Sequence, residues 1–139
     1  MSSRDRNLET VITHAQTRQG LLNALLLGVA AHSVVAGAAL LVFPLATLGL
    51  VRWEYTGPAF WPSQAGLFLI LLGIAYAAAV WVRPLIWLVV GSKASAFVFL
   101  TVSAGWGYAP RVAAWLGCGD GLMGLAVALA LWRLRANRR

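Results

Sequence analysis

Three side chains in this 139-residue chain can do chemistry where their surroundings are otherwise apolar: Lys93, Asp120 and His32. A charge near the centre of a bilayer costs about 2.5–3.5 kcal/mol on insertion scales, so two isolated ones would together cost roughly 5–7. Lys93 and Asp120 are therefore expected to meet. The apolar segments carrying them flank a short break around residues 105–111, so in an antiparallel pair the positions equidistant from that break share one depth. Lys93 and Asp120 match to within a turn, an offset that a lysine stem can bridge. Such a pair can fix helix register, titrate as a proton or ion relay, or anchor a polar ligand or partner.

His32 is the only histidine inside an apolar segment, with Gly28 four residues before it. An imidazole with a small residue one turn away has room to ligate a haem or chlorophyll-type pigment. The plainer reading is a hydrogen bond across a helix bundle. His14 lies in the N-terminal segment and cannot share a site at that depth. Cys118 is the only cysteine, so no internal disulfide and no cysteine-rich metal site is expected, and no metal ligands are assigned. The chain contains no G-x-S-x-G, no H-E-x-x-H, no Walker A sequence and no carboxylate pair, so no catalytic residue is assigned and an enzyme is the less favoured class.

The elements that position these residues follow from composition. Hydrophobic residues make up 60% and charged residues 11% of the chain, with a mean hydropathy of +0.77. An average soluble domain is about 45–50% apolar and about 25% charged, so a water-soluble enzyme, a coiled coil and a disordered tail are all excluded. Crossing a hydrocarbon core takes about 20 apolar residues, and four stretches qualify: 21–43, 65–82, 85–104 and 112–132. Against lipid such spans must be helices. The expected fold is all-α: one polytopic membrane domain, a four-helix bundle.

Small cleavage-type residues at Ala36 to Ala38 allow a signal-peptide reading of the first span, but its apolar stretch exceeds the usual h-region and it is expected to stay. In residues 1–20, Leu8, Val11, Ile12 and Ala15 recur at helical spacing, which predicts an amphipathic helix, ahead of the first span, that lies along the membrane surface or covers the bundle end. Residues 44–64 hold Trp53, Tyr55, Phe60 and Trp61 among prolines and read as an outer interfacial loop, with a lid over a binding site as the sharper alternative.

Small residues set the expected helix contacts. Gly117, Gly121, Gly124 and Ala128 share one face of the fourth span, and Gly73 with Ala77 repeats the small-xxx-small spacing in the second. The net charge is +7, but the basic residues sit at span ends, where they act as topology signals and anionic-lipid contacts, so nucleic acid is not a partner. Arg4, Arg6, Arg18, Arg83, Arg133, Arg135, Arg138 and Arg139 fall on one side, against Arg52 and Arg111 on the other, which predicts cytoplasmic termini.

Gln64-Ala65-Gly66, Gly73 to Tyr76, an arginine-proline turn, Gly91-Ser92-Lys93, and Gly119-Asp120 leading to Trp132 together resemble small uncharacterised bacterial four-helix membrane proteins, loosely DoxX-like in size and topology, over about half of the chain. The resemblance implies four helices in a bacterial cytoplasmic (inner) membrane and supplies no activity. The leading expectation is an accessory or structural subunit that docks onto other membrane subunits or onto itself. A transporter or channel component using Lys93 and Asp120 is the alternative, and a haem- or pigment-binding protein through His32 is the third.

Overall fold

A computed structural model describes the backbone of residues 3–136 and the side chains of residues 16–136. The elements are α1 (Ser3–Val42), α2 (Pro44–Leu50), α3 (Phe60–Ala78), α4 (Ile86–Gly105) and α5 (Val112–Ala136), with a 3₁₀ turn at Arg83–Leu85; no strand occurs among the described residues. Four stretches are long and apolar enough to cross a membrane: Gln16–Val42, Phe60–Ala78, Arg83–Gly105 and Val112–Ala136.

The boundary expected at residue 20 is absent. α1 runs unbroken through 40 residues, so the N-terminal segment and the first span form one helix rather than two. Gly20 alone cannot stop the ladder, because glycine in a helix interior costs only about 1 kcal/mol and α1 contains no proline. The apolar stripe from Leu8 to Ala15 falls on side chains outside those described.

Residues 44–64 are likewise not a single loop, because α2 occupies their start and α3 begins at Phe60. Pro44 ends α1 by lacking an N–H, then serves as the first residue of α2. Thr47 Oγ1 donates to the Ala39 carbonyl at 3.0 Å, a second bond on an oxygen that already accepts from Phe43 N–H at 2.8 Å, and so ties α2 back onto the end of α1. α2 closes with a Schellman pair, Arg52 N–H to Gly49 O at 3.0 Å and Trp53 N–H to Leu48 O at 2.9 Å. The left-handed residue of the motif is Arg52, φ 54°, where glycine would be unstrained. Pro62 sits in the first turn of α3, where its missing N–H has no helical partner, so the helix starts five residues before the expected position 65. α5 continues past 132 to Ala136, its last turn holding Arg133 and Arg135 at the end of the helix dipole that favours cations.

The helices pack as two antiparallel pairs, α1 on α3 and α4 on α5, joined mainly where α1 meets α5; α3 touches α4 lightly. The closest approach in the fold is between α1 and α3. A Cβ at Gly66 would lie 2.5 Å from the Gly37 carbonyl oxygen and 2.6 Å from the Leu41 nitrogen. A Cβ at Gly37 would in turn meet the Gly66 oxygen at 2.6 Å. One helical stretch along, Gly73 faces Val34 and the Ala30 carbonyl. The sequence pointed to Gly73 but not to Gly37 or Gly66. On the second pair, Gly117 lies against Leu100 and the Phe97 carbonyl, Gly121 against the Phe97 ring, and Gly124 against the Lys93 Cβ. Ala77 and Ala128 are half-buried beside these contacts.

The buried apolar cluster draws on all four long helices: Leu22, Leu26, Val29 and Ala30 of α1, Tyr76 of α3 with Ala79 just past its end, Ile86 and Val89 of α4, and Val127 of α5. It occupies the end of the bundle at which the Arg83 turn lies. Toward the other end the two helix pairs rely on their glycine contacts.

Gly66→Ala forces two backbones apart and should lower stability by about 1–3 kcal/mol, the usual range for overpacking. Gly91→Ala is the control, since a Cβ there meets nothing within 4 Å. Thermal melting of the two purified variants checks this: Gly66→Ala should melt well below the parent and Gly91→Ala should match or exceed it.

Candidate functional site

α4 and α5 carry the only ion pair among the described residues. Lys93 Nζ stands 2.5 Å from Asp120 Oδ1. The two side chains differ in access, Lys93 being 4% exposed and Asp120 20%. Lys93 lies close to the middle of the Arg83–Gly105 span, so its ammonium could not reach either end of α4. Gly124 makes the arrangement possible, because a Cβ there would press within 3.0 Å of the Lys93 Cβ. The bare backbone of α5 leaves the lysine stem its path along the interface toward Asp120, one turn back.

A third helix completes the environment. Lys93 Nζ lies 5.9 Å from the centroid of the Tyr76 ring, within reach of a cation–π contact from α3. Tyr76 is 2% exposed, and its hydroxyl stands 2.6 Å from Ser92 Oγ. Ser92 Oγ donates to the Leu88 carbonyl at 2.6 Å, which can only accept, so the single serine proton is committed there and Tyr76 must be the donor to Ser92. Tyr76, Ser92, Lys93 and Asp120 therefore form one polar patch across α3, α4 and α5. Sequence reasoning found the charges and missed the tyrosine. A phenol inside an apolar span needs a hydrogen-bond partner, which was the available signal.

On α1, Ser33 is 1% exposed, and its Oγ has no hydrogen-bond partner among the described residues. Its neighbour His32 points the other way. His32 is exposed on the outer surface of the bundle, as are Gly28, Ala24 and Gly20 on the same stripe. A Cβ at Gly20 or Gly28 would meet nothing within 4 Å. The structure thus keeps His32 apart from Lys93 and Asp120, and no hydrogen bond across the bundle is open to it. No group of three or more His, Cys, Asp or Glu side chains able to hold a metal occurs among the described residues. Cys118 is exposed, and His14 lies outside the described side chains.

Such a patch holds a charge in an apolar interior by pairing and can carry a proton between carboxylate and amine. Removing one member leaves the other unpaired, at a cost of about 3–5 kcal/mol. Lys93→Met and Asp120→Leu should each accumulate poorly and melt early. The double variant Lys93→Met/Asp120→Leu should recover most of the lost stability, since apolar groups then face each other. Additive losses in the double variant, read by melting and yield, would show that the two residues are not coupled.

No protein-family model, no curated protein and no solved structure matches this chain.

Proposed function

We propose that this chain is a four-pass membrane protein that serves as an accessory or structural subunit, docking through the outer face of α1 against a transmembrane helix of another chain. The carrying observation is the exposure of His32 near the middle of the Gln16–Val42 span. Ionisable residues in membrane spans almost always face the bundle interior or a partner, and among the described residues His32 has neither. The stripe of Gly20, Ala24 and Gly28 beneath it leaves the helix backbone open to close approach, the geometry in which membrane helices gain van der Waals contact. An imidazole hydrogen-bonding across that contact would remove the penalty.

The membrane placement is supported by four apolar spans and by their large exposed apolar side chains, which include Leu71, Ile74, Val98 and Leu122 in mid-helix. Both termini are assigned to the cytoplasm by the positive-inside tendency. In support, Arg83 reaches Asn23 of α1 at 3.3 Å and Arg135 covers Trp87 of α4 at 5.2 Å, so arginines from two segments gather at one end of the bundle. A relay role for the pair is the second reading, favoured by the partial exposure of Asp120.

In a Cys118→Ala background, a photo-cross-linker at Ala31 should give a discrete higher-mass protein adduct that disappears with His32→Leu. The same cross-linker at Phe68, exposed on α3, should give none. His32→Leu should leave the melting temperature of the isolated chain unchanged. No adduct from Ala31, or an adduct indifferent to His32→Leu, overturns the docking role. Single cysteines at Gly57 and Asn137 test the orientation: an impermeant thiol reagent should label the first in intact cells and the second only after lysis. If the Lys93→Met/Asp120→Leu chain folds yet the host assembly loses function, the relay reading replaces the structural one.

A further inference from the structure

Of the four arginines at the Arg83 end whose side chains are described, two are engaged inside the chain and two are not. Arg83 bonds Asn23 and Arg135 lies over Trp87, whereas Arg18 and Arg133 make no hydrogen bond or ion pair among the described residues. Those two flank one groove. It lies between α1 and α5, has a volume of about 630 Å³, and is walled by Leu21, Leu25, Leu129 and Trp132 as well as the two arginines. Its floor is low because the remaining α5 residues of the lining, Ala126, Ala130 and Ala136, are all alanines.

The chemistry of the groove is graded along its length. Consecutive spans alternate in direction, so α1 and α5 are antiparallel, and the groove runs from the level of Leu25 and Ala126 to that of Arg18 and Arg133. Seven residues of helix rise about 10 Å, so the apolar part matches the upper portion of an acyl chain. The cations stand only at the outer end, beside an exposed tryptophan, the residue type that settles at headgroup depth. Among the described residues, no acidic side chain lines the groove.

We infer that this groove is a binding site for one anionic glycerophospholipid, its phosphate held between Arg18 and Arg133 and an acyl chain lying over Ala126 and Ala130. This rests on the membrane placement proposed above. Guanidinium groups grip phosphate oxygens through paired N–H donors, and basic pockets between membrane helices favour anionic headgroups. A free phosphate ion would use the arginines and ignore the apolar floor; a zwitterionic lipid would use the floor and place a second cation beside them. Only an anionic lipid satisfies both parts. The site also accounts for arginines at these two positions beyond any topology signal.

Native mass spectrometry of the full chain in mild detergent tests this with phosphatidylglycerol and phosphatidylcholine of identical acyl chains. The parent should retain one phosphatidylglycerol in preference to phosphatidylcholine by about tenfold or more, each arginine contributing on the order of fivefold. Arg18→Gln/Arg133→Gln should bring the two lipids to near parity. Arg52→Gln/Arg111→Gln, the same charge change at the other end, should leave the preference intact. Ala130→Trp should reduce retention of both lipids by filling the floor, and millimolar glycerol 3-phosphate should not displace the lipid. Parity in the parent, an equal loss with Arg52→Gln/Arg111→Gln, or displacement by glycerol 3-phosphate would overturn the site while leaving the membrane placement standing. A chain that is soluble without detergent would overturn the membrane placement and the site together.

Discussion

A lysine ammonium held 4% exposed in the middle of an apolar helix exists only because a carboxylate stands 2.5 Å away on the neighbouring helix. That requirement sets the register of α4 on α5. It also constrains what surrounds the pair: Gly124 must lack a side chain for the lysine stem to pass, and Gly121 must admit the Phe97 ring on the same interface. From α3, the Tyr76 ring covers the ammonium while its hydroxyl is tied to Ser92, the residue before the lysine. One charge thus organises three helices. A buried ion pair is weak evidence for stability, since apolar residues in its place often serve as well, but it is a strong device for specifying one register among the many that apolar helices allow.

The rest of the bundle is held by a different kind of contact. α1 and α3 touch backbone to backbone at Gly37 and Gly66, where even a methyl group would collide with main-chain atoms. Between helices as apolar on their outer faces as at their contacts, burial does little to separate a good contact from a poor one, so close approach and dispersion decide. The two helix pairs then share a core only toward the Arg83 end, through Leu22, Leu26, Ile86, Val89 and Val127. Consequently the inward faces of α1 are committed to α3 and α5, and its remaining face carries Gly20, Gly28 and His32 outward. The proposed docking face and the proposed lipid groove are both products of this arrangement: one is the side of α1 left over by its packing, the other the seam where its packing against α5 ends.

Sequence and structure divide the account along a physical line. Span number and approximate length could be read directly, because hydrocarbon thickness dictates how many apolar residues a crossing needs. The pairing of Lys93 with Asp120 was legible too, since the cost of isolated charges and the antiparallel geometry of consecutive spans leave few partners. Where residues 1–20 and 44–64 were read as separate surface elements, the structure shows continuous or new helix instead. Side-chain polarity suggests boundaries near residues 20 and 64, whereas proline positions and backbone hydrogen bonds set the actual ones.

What only the tertiary structure decided is the rotation of each helix about its own axis. A soluble helix advertises its buried side by an apolar stripe, but these helices are apolar all round and offer no such mark. So nothing in the sequence marks Gly37 and Gly66 as contact residues and Gly28 as not one, and only the packed chain shows that the first two meet a neighbouring helix, as Gly73 does, while Gly28 meets open space. The same indeterminacy hid the outward aim of His32 and the seam between Arg18 and Arg133. The length of a span follows from composition alone, whereas the direction in which a side chain points follows from its neighbours.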